Sequence, residues 1–262
     1  MPMPETGMFV EERKMKTLER IESQRKVTVA ELCAVFHVSA ATIRNDLRDL
    51  ETAGLLIRTH GGAMVKSKTG MEQDMTQRGV QHLAEKRRIA EAASRLVEDG
   101  DTLMLDTGST TFELALLLGH KQDITVVTND LTIAIALEGS PTVRVVFMGG
   151  IVRKNYHCTV IYGSAGRDIL AGLSVDKAFM ALNSFSLDKG ASTPDINHAE
   201  TKKLMMSIAA KVILLFDSSK FGRSSLALFA PLESIDTIVT DAIGAPECAR
   251  LEEMGIDVVV AD

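Results

Sequence analysis

Apolar positions along this 262-residue chain follow two rhythms. In the first quarter they are sparse and helically spaced. Phe9, Leu18 and Ile21 punctuate a charged stretch and predict a helix over 9–24. A short apolar-rich segment predicts a second helix over 29–36. Ile43, Leu47 and Leu50 stand at i, i+4 and i+7, so a third helix over 39–53 carries one buried stripe. The segment 55–65, partly apolar and interrupted by Gly61 and Gly62, predicts a small hairpin. From Glu85 the rhythm changes. A helix over 85–97 is followed by short Val, Ile and Leu runs at 102–105, 124–128, 143–148, 177–182, 212–216, 237–240 and 258–260. Helical segments at 111–118, 131–137, 198–210 and 246–254 separate several of them. Such runs alternating with helices predict an α/β domain built on a mostly parallel, Rossmann-like sheet covered on both faces.

The two rhythms divide the chain into a domain over 9–65, a polar linker over 66–82 and a larger domain over 83–262. Residues 1–8, with two prolines and a glycine, read as a loose tail. Charge follows the same division. Residues 1–70 carry 11 Lys and Arg against 9 Asp and Glu, and residues 71–262 carry 18 against 26. A slightly basic module on an acidic body fits phosphate contact by the N-terminal part. Cys33, Cys158 and Cys248 are odd in number and widely spaced, which argues against a disulfide framework or a zinc site and suits a reducing compartment. His157-Cys158 is half a metal site without spaced partners, so no metal or cofactor is expected. Charged residues among the first twenty show no signal-peptide pattern, and no apolar run approaches the roughly 18 residues of a membrane span. The expectation is a cytoplasmic protein without a membrane partner.

Thr28 and Glu31 have capping-box spacing, and Ser39 is placed to cap the third helix. Gly54 supplies a left-handed stop after it. Two short helices joined by about three residues make a helix-turn-helix candidate. At 100° per residue, Ala41, Asn45 and Arg48 fall opposite the buried stripe, with Thr42 and Arg44 on the flanks. Small residues allow close approach to a major groove. Arg bonds guanine edges or phosphates, and Asn bonds adenine. The hairpin follows as a wing would, placing Arg58 and His60 to reach phosphates or a minor groove. Candidate DNA contacts are therefore Ser39, Ala41, Thr42, Arg44, Asn45, Arg48, Arg58 and His60. Without that context, the third helix also fits an ordinary amphipathic helix with a solvated face.

In the larger domain, Asp106 closes a strand, and Gly108-Ser109-Thr110-Thr111 opens a helix. Such a loop presents backbone N–H groups at the positive end of a helix dipole and suits phosphate, though it equally suits a capped strand–helix turn. It is neither a Walker loop nor a dinucleotide fingerprint. Other polar groups stand at expected strand ends: Thr128-Asn129, Gly149-Gly150 with Arg153 nearby, and Asp217 with Lys220. Ligands of open parallel sheets bind beyond the carboxyl ends of the strands.

The runs Val38-Ser39-Ala40-Ala41-Thr42-Ile43-Arg44-Asn45-Asp46-Leu47, Leu50-Glu51 and Leu56-Ile57-Arg58-Thr59-His60-Gly61-Gly62-Ala63 resemble the DeoR family of bacterial repressors. So do 106–111, 125–129, 175–179, 188–190, 200–203 and 217–222, so the resemblance extends from about residue 9 to the C-terminus. It implies a winged helix-turn-helix and a sensor domain related in fold to sugar-phosphate isomerases and deaminases. The implied ligand is a phosphorylated sugar or polyol. Its phosphate would rest on Gly108, Ser109, Thr110 and Thr111. Its sugar side would meet Asp106, Asn129, Asp176, Lys177, Glu200 and Lys220. Two departures stand out: Asn45 replaces a second Arg of the family, and Asn183-Ser184 replaces a glycine-bearing loop.

The expected function is a non-enzymatic, DNA-binding regulator. It would be a repressor of a carbohydrate or polyol operon, acting as a homodimer or homotetramer on paired half-sites. The rival is a sugar-phosphate isomerase or deaminase with a protein-binding N-terminal module, using Asp106, Glu200 and Lys220 as an acid/base set. An activator built from the same parts is a third reading that the sequence does not separate from a repressor.

Overall fold

In the computed structural model, which describes residues 9–24, 26–53, 55–65, 72, 75–161, 168 and 170–262, two compact units are present, Met1–Lys68 and Thr69–Asp262. The expected tail over 1–8, the stop at Gly54 and most of 66–74 lie outside the described residues. In the first unit, α1 (Val10–Gln24) leads through β1 (Lys26–Thr28) into α2 (Val29–Phe36). Thr28 forms a full capping box with Glu31. Its hydroxyl accepts from Glu31 N at 3.2 Å, and the Glu31 carboxylate accepts from Thr28 N at 2.7 Å. His37, left-handed at φ 53°, ends α2. The Ser39 hydroxyl then caps α3 (Ala40–Thr52) by accepting from Thr42 N at 3.1 Å.

β2 (Leu56–Thr59) and β3 (Gly62–Val65) form the expected hairpin. β1 was not legible as a strand. It pairs antiparallel with β3 to give a three-stranded sheet of order β1-β3-β2. Gly62 permits that pairing, because a Cβ there would lie 1.9 Å from the Val27 carbonyl oxygen. Ile43, Leu47 and Leu50 of α3 pack with Ile21, Leu32 and Leu56 in the core. Each such side chain contributes roughly 1.5–3 kcal/mol through burial. A charged pair crosses the same core: Arg13 of α1 donates to both carboxylate oxygens of Asp46 on α3, at 2.6 and 3.2 Å.

The second unit runs through α4 (Met75–Val80), α5 (Leu83–Ser94), β4 (Thr102–Leu105), α6 (Ser109–Leu117), β5 (Ile124–Thr128), α7 (Leu131–Leu137) and β6 (Val143–Phe147). A hairpin, β7 (Ile151–Arg153) and β8 (Cys158–Val160), follows. Then come β9 (Val175–Ala181), β10 (Ser184–Ser186), β11 (Gly190–Thr193), α8 (Ile196–Ser207), β12 (Ala209–Leu215), β13 (Ala227–Ala230), β14 (Thr237–Thr240), α9 (Ala245–Glu253) and β15 (Asp257–Val260). Seven strands form one sheet of order β15-β14-β12-β9-β4-β5-β6, parallel at each described pairing. Alternate residues serve opposite faces. Leu103, Leu105 and Phe179 pack with Ile89 of α5, Leu114 of α6 and Ile133 of α7. Met104, Ala178 and Met180 pack with Met205 of α8 and Leu251 of α9.

The chain adds β5 and β6 on one side of β4 and then crosses back to place β9 on the other. The carboxyl ends of β4 and β9 thus border a topological switch point, where open sheets of this kind leave a crevice. Three features were not expected, the β7–β8 hairpin being one. α4 lies in the presumed linker and packs against α6. β10, β11 and β13, rich in Ser, Ala and Gly, form a separate antiparallel sheet. No helix among the described residues is long and apolar enough to cross a membrane.

Candidate functional site

The first unit presents one polar face. On α3, Ile43, Asp46, Leu47 and Leu50 are buried, whereas Ala41, Arg44, Asn45 and Arg48 are exposed and Thr42 is half-buried. Ser39 is exposed, but its hydroxyl already serves the helix start and lies 2.9 Å from the Thr42 hydroxyl. Asn45 Oδ1 accepts from Arg48 Nη2. Arg58 on β2 pairs with Glu51 of α3 at 3.5 Å, and its backbone N donates to the same carboxylate at 3.1 Å. An exposed pair of this kind contributes about 1 kcal/mol or less, so Arg58 can be released to a phosphate at small cost. His60 stands exposed in the turn between β2 and β3. The expected DNA contacts thus share one helix face and its adjoining hairpin.

In the second unit, a cleft opens at the start of α6. Gly108 brings the backbone close to β9, since a Cβ there would lie 2.5 Å from Ala181 Cβ. Ser109 and Thr110 line the cleft, facing Arg78 of α4, His82, Lys86 of α5 and Lys220 beyond β12. Thr111 is fully buried, and its hydroxyl donates to the Gly108 carbonyl at 2.9 Å. Lys86 Nζ donates to the carbonyls of Arg78 and Gln81, and burial pushes its pKa down to about 8. Asp217 lies 3.9 Å from Lys220. Burial would raise its pKa, but Lys220 and the Ser219 hydroxyl hold it below the ordinary carboxylate value. Cations grouped around unpaired helix N–H groups favour an anion.

A second polar cluster lies at the switch point. Asp106, fully buried at the end of β4, accepts through Oδ2 from Ala181 N at 2.9 Å and from Lys202 Nζ. Lys202 also donates to the Ala181 carbonyl at 2.9 Å. Burial disfavours charge on both partners, raising the pKa of Asp106 and lowering that of Lys202. His198, one turn before Lys202 on α8, is held neutral by burial and by Lys202 and Arg153. Asn129, at the end of β5, donates through Nδ2 to the Thr159 carbonyl at 2.8 Å.

Several expected ligand residues are not in either cluster. Asp176 and Lys177 begin β9, at the amino ends of the strands, whereas Asp106 lies at the carboxyl end of neighbouring β4. The Asp176 carboxylate accepts from Thr102 N at 2.7 Å, and Lys177 pairs with Asp101 at 2.7 Å. Both fix strand starts rather than face the crevice. Glu200 lies on the exposed side of α8 and pairs with Lys203 at 2.8 Å. The acid/base set Asp106, Glu200 and Lys220 is therefore not assembled. Gly149 and Gly150 follow β6, two strands from Asp106, and shape the turn into the β7–β8 hairpin. The residues that sequence reasoning missed are Arg78, His82, Lys86, His198 and Lys202. A signal existed for the last two: His198, Lys202 and Met205 lie at i, i+4 and i+7, the spacing of a buried stripe.

The profile of the DeoR C terminal sensor domain matches residues 81–242, and that of the DeoR-like helix-turn-helix domain matches residues 13–69. The HTH-type transcriptional regulator GlpR of Haloferax volcanii is 36% identical over 253 residues, covering 96% of this chain and 98% of that protein. The HTH-type transcriptional regulator GolR of Listeria innocua is 32% identical over 256 residues, covering 97% of this chain and 100% of that protein. Among solved structures, ribose 5-phosphate isomerase A of Methanocaldococcus jannaschii is similar over 53% of this chain and 55% of its own, at 17% identity and a TM-score of 0.39.

Proposed function

The chain belongs to the DeoR family of DNA-binding transcriptional regulators, and from that premise we propose that it represses a carbohydrate or polyol catabolic operon under the control of a phosphorylated sugar or polyol. It is a regulator rather than an enzyme, as its relatives are named. The observation that carries the ligand reading is the cleft at the start of α6, where Arg78, Lys86 and Lys220 converge on Ser109 and Thr110. A phosphate there receives helix N–H groups and three cationic side chains, while the sugar extends toward Asp106 at the switch point.

DNA reading is assigned to α3 in a major groove, with Arg44, Asn45 and Arg48 toward the bases and the β2–β3 hairpin on the adjoining backbone. A homo-oligomer, dimer or tetramer, supplies the two copies that paired half-sites require. Arg78, His82 and Lys86 all belong to the stretch that opens the sensor unit in sequence. Ligand that gathers them changes operator affinity only as far as it binds the two operator-binding arrangements differently.

Titration of the full chain onto a labelled duplex from its own upstream region, at fixed salt, tests the reading. Sugar phosphates should shift the midpoint, and their unphosphorylated forms should not. Equal effects of both forms would remove the phosphate cleft from the proposal. Loss of all duplex binding in the wild type would remove the repressor itself.

A further inference from the structure

Three buried polar atoms around the switch point have no hydrogen-bond partner among the described residues: Asp106 Oδ1, Asn129 Oδ1 and His198 Nε2. Asp106 and Asn129 sit next to one another, because each follows a residue of the register pair Leu105 and Thr128 on neighbouring strands. His198 enters from α8, its Nε2 lying 3.9 Å from Asp106 Oδ1. That separation is too long for a direct hydrogen bond. Buried polar groups are nearly always satisfied, so three orphans in one place indicate an occupant.

The tautomer of His198 follows from its other nitrogen. Nδ1 faces Arg153 Nη1 at 3.3 Å. A guanidinium has only donors, so Nδ1 must be the acceptor. The ring is neutral, and its single proton therefore lies on Nε2. Arg153 is itself fixed by Glu72 at 2.6 Å and by the Tyr156 ring beneath it at 4.1 Å. His198 thus aims one N–H donor, and Asp106 one carboxylate acceptor, at the same space.

We propose that His198 and Asp106 together read one hydroxyl of the effector, which accepts from Nε2–H and donates to Oδ1, with Asn129 Oδ1 accepting from a neighbouring hydroxyl. A hydroxyl oxygen about 2.8 Å from each atom fits the separation, with its two bonds meeting near a right angle. A ligand carbonyl would serve His198 and leave Asp106 unpaired. A deoxy position would leave both unpaired, and a carboxylate would oppose Asp106. The Asp106–Lys202 pair is neutral as a unit, so this subsite suits an uncharged polyhydroxylated segment while the cationic cleft holds the phosphate. The inference rests on the sensor reading above and specifies what the sugar side must carry.

Calorimetric titration of the full-length protein tests it. The probes are inorganic phosphate, glucose 6-phosphate, fructose 6-phosphate and glucitol 6-phosphate, with monodeoxy counterparts of each sugar phosphate. For a parent that binds, one monodeoxy form should bind at least about tenfold more weakly, as expected when buried partners are left unpaired. His198→Gln, which keeps an N–H donor, should retain the discrimination. His198→Phe should narrow the gap between parent and deoxy form, because Asp106 alone then reads the hydroxyl. Wild-type binding of every monodeoxy form as tightly as its parent overturns the inference and leaves a trapped water as the occupant. Binding of inorganic phosphate but of no sugar phosphate overturns this subsite and leaves the cleft standing. Binding of neither overturns both. Should His198→Phe fail to fold, the wild-type comparison and His198→Gln decide the matter.

Discussion

Asn45 and Arg48 form a pair on the exposed face of α3, the asparagine oxygen accepting from the arginine Nη2. Its consequence is a change in what the helix can read. A bidentate contact to adenine needs the Asn oxygen as acceptor and its NH2 as donor. With one lone pair of that oxygen engaged by Arg48, the pair presents mainly donors to a base edge. Guanine, with N7 and O6 as acceptors, matches donors alone. Selection from a randomised duplex library should therefore enrich guanine opposite this pair. Asn45→Ala should relax the preference there by about 1–3 kcal/mol. Enrichment of adenine by the wild type would show that the pair opens on binding.

The buried contact between Arg13 and Asp46 should govern how firmly α3 is held. Asp46 is 4% exposed, and both its oxygens accept from Arg13. Arg13→Met would leave that carboxylate without its cation, and breaking a buried pair from one side costs about 3–5 kcal/mol. Denaturant unfolding of the full chain should show the loss in the phase that belongs to the N-terminal unit. Arg13→Met combined with Asp46→Leu should recover much of it. Equal stability of Arg13→Met and wild type would mean that water reaches the site.

What was legible in the chain follows from how each signal arises. The seven parallel strands are short apolar runs, most of them rich in Val, Ile or Leu, and their apolarity and length located them. Asp106 and the Ser109–Thr111 start of α6 were visible because a strand must end before a helix begins. Lys202 and His198 were passed over because charged residues on a helix are read as solvent-facing, and Glu200 was taken from the same stretch instead. Only the packing of α8 against β13 and the sheet turns Lys202 inward. Asp176 and Lys177 came from the family resemblance, although the strand expected over 177–182 already put them at its amino end, away from the carboxyl ends where ligands bind. The register pair of Lys177 with Leu103 places them beside the start of β4. The β10, β11 and β13 sheet was invisible because its small residues carry neither period.

Gly62 should be the least replaceable position in the hairpin. An added Cβ would meet the Val27 carbonyl oxygen at 1.9 Å, a backbone atom that cannot move aside without breaking the β1–β3 pairing. Gly62→Ala should therefore lower stability by several kcal/mol, of the order seen for overpacking, and weaken duplex binding. Gly61→Ala, with nothing within 4 Å of the added atom, should be tolerated. Matched far-ultraviolet spectra and duplex titrations of the two variants separate the outcomes, and equal behaviour would sink the argument.

The proposed phosphate cleft should lose affinity as the pH rises through the titration of Lys86. Burial is the main cause of its lowered pKa of about 8; Lys220 and Arg78 lower it further, and Asp217 and Glu113 oppose them. Above that pH the cleft loses one positive charge. Affinity for inorganic phosphate should fall about tenfold between pH 7 and 9.5, since one charge at such range contributes on the order of 1–2 kcal/mol. A bound anion favours the charged form and raises the folded-state pKa. Binding at pH 8 should therefore take up protons, so the measured heat should vary with the ionisation enthalpy of the buffer. Stability of the unliganded protein should move the other way. Between about 8 and the unfolded value of 10.5 the unfolded chain binds more protons, so this group's penalty on the fold is relieved as the pH rises, by on the order of 3 kcal/mol in full. Lys86→Gln should bind phosphate more weakly at pH 7, with no further loss to pH 9.5 and no proton uptake. A wild-type affinity that stays flat across this range, with buffer-independent heats, would exclude Lys86 from the anion site.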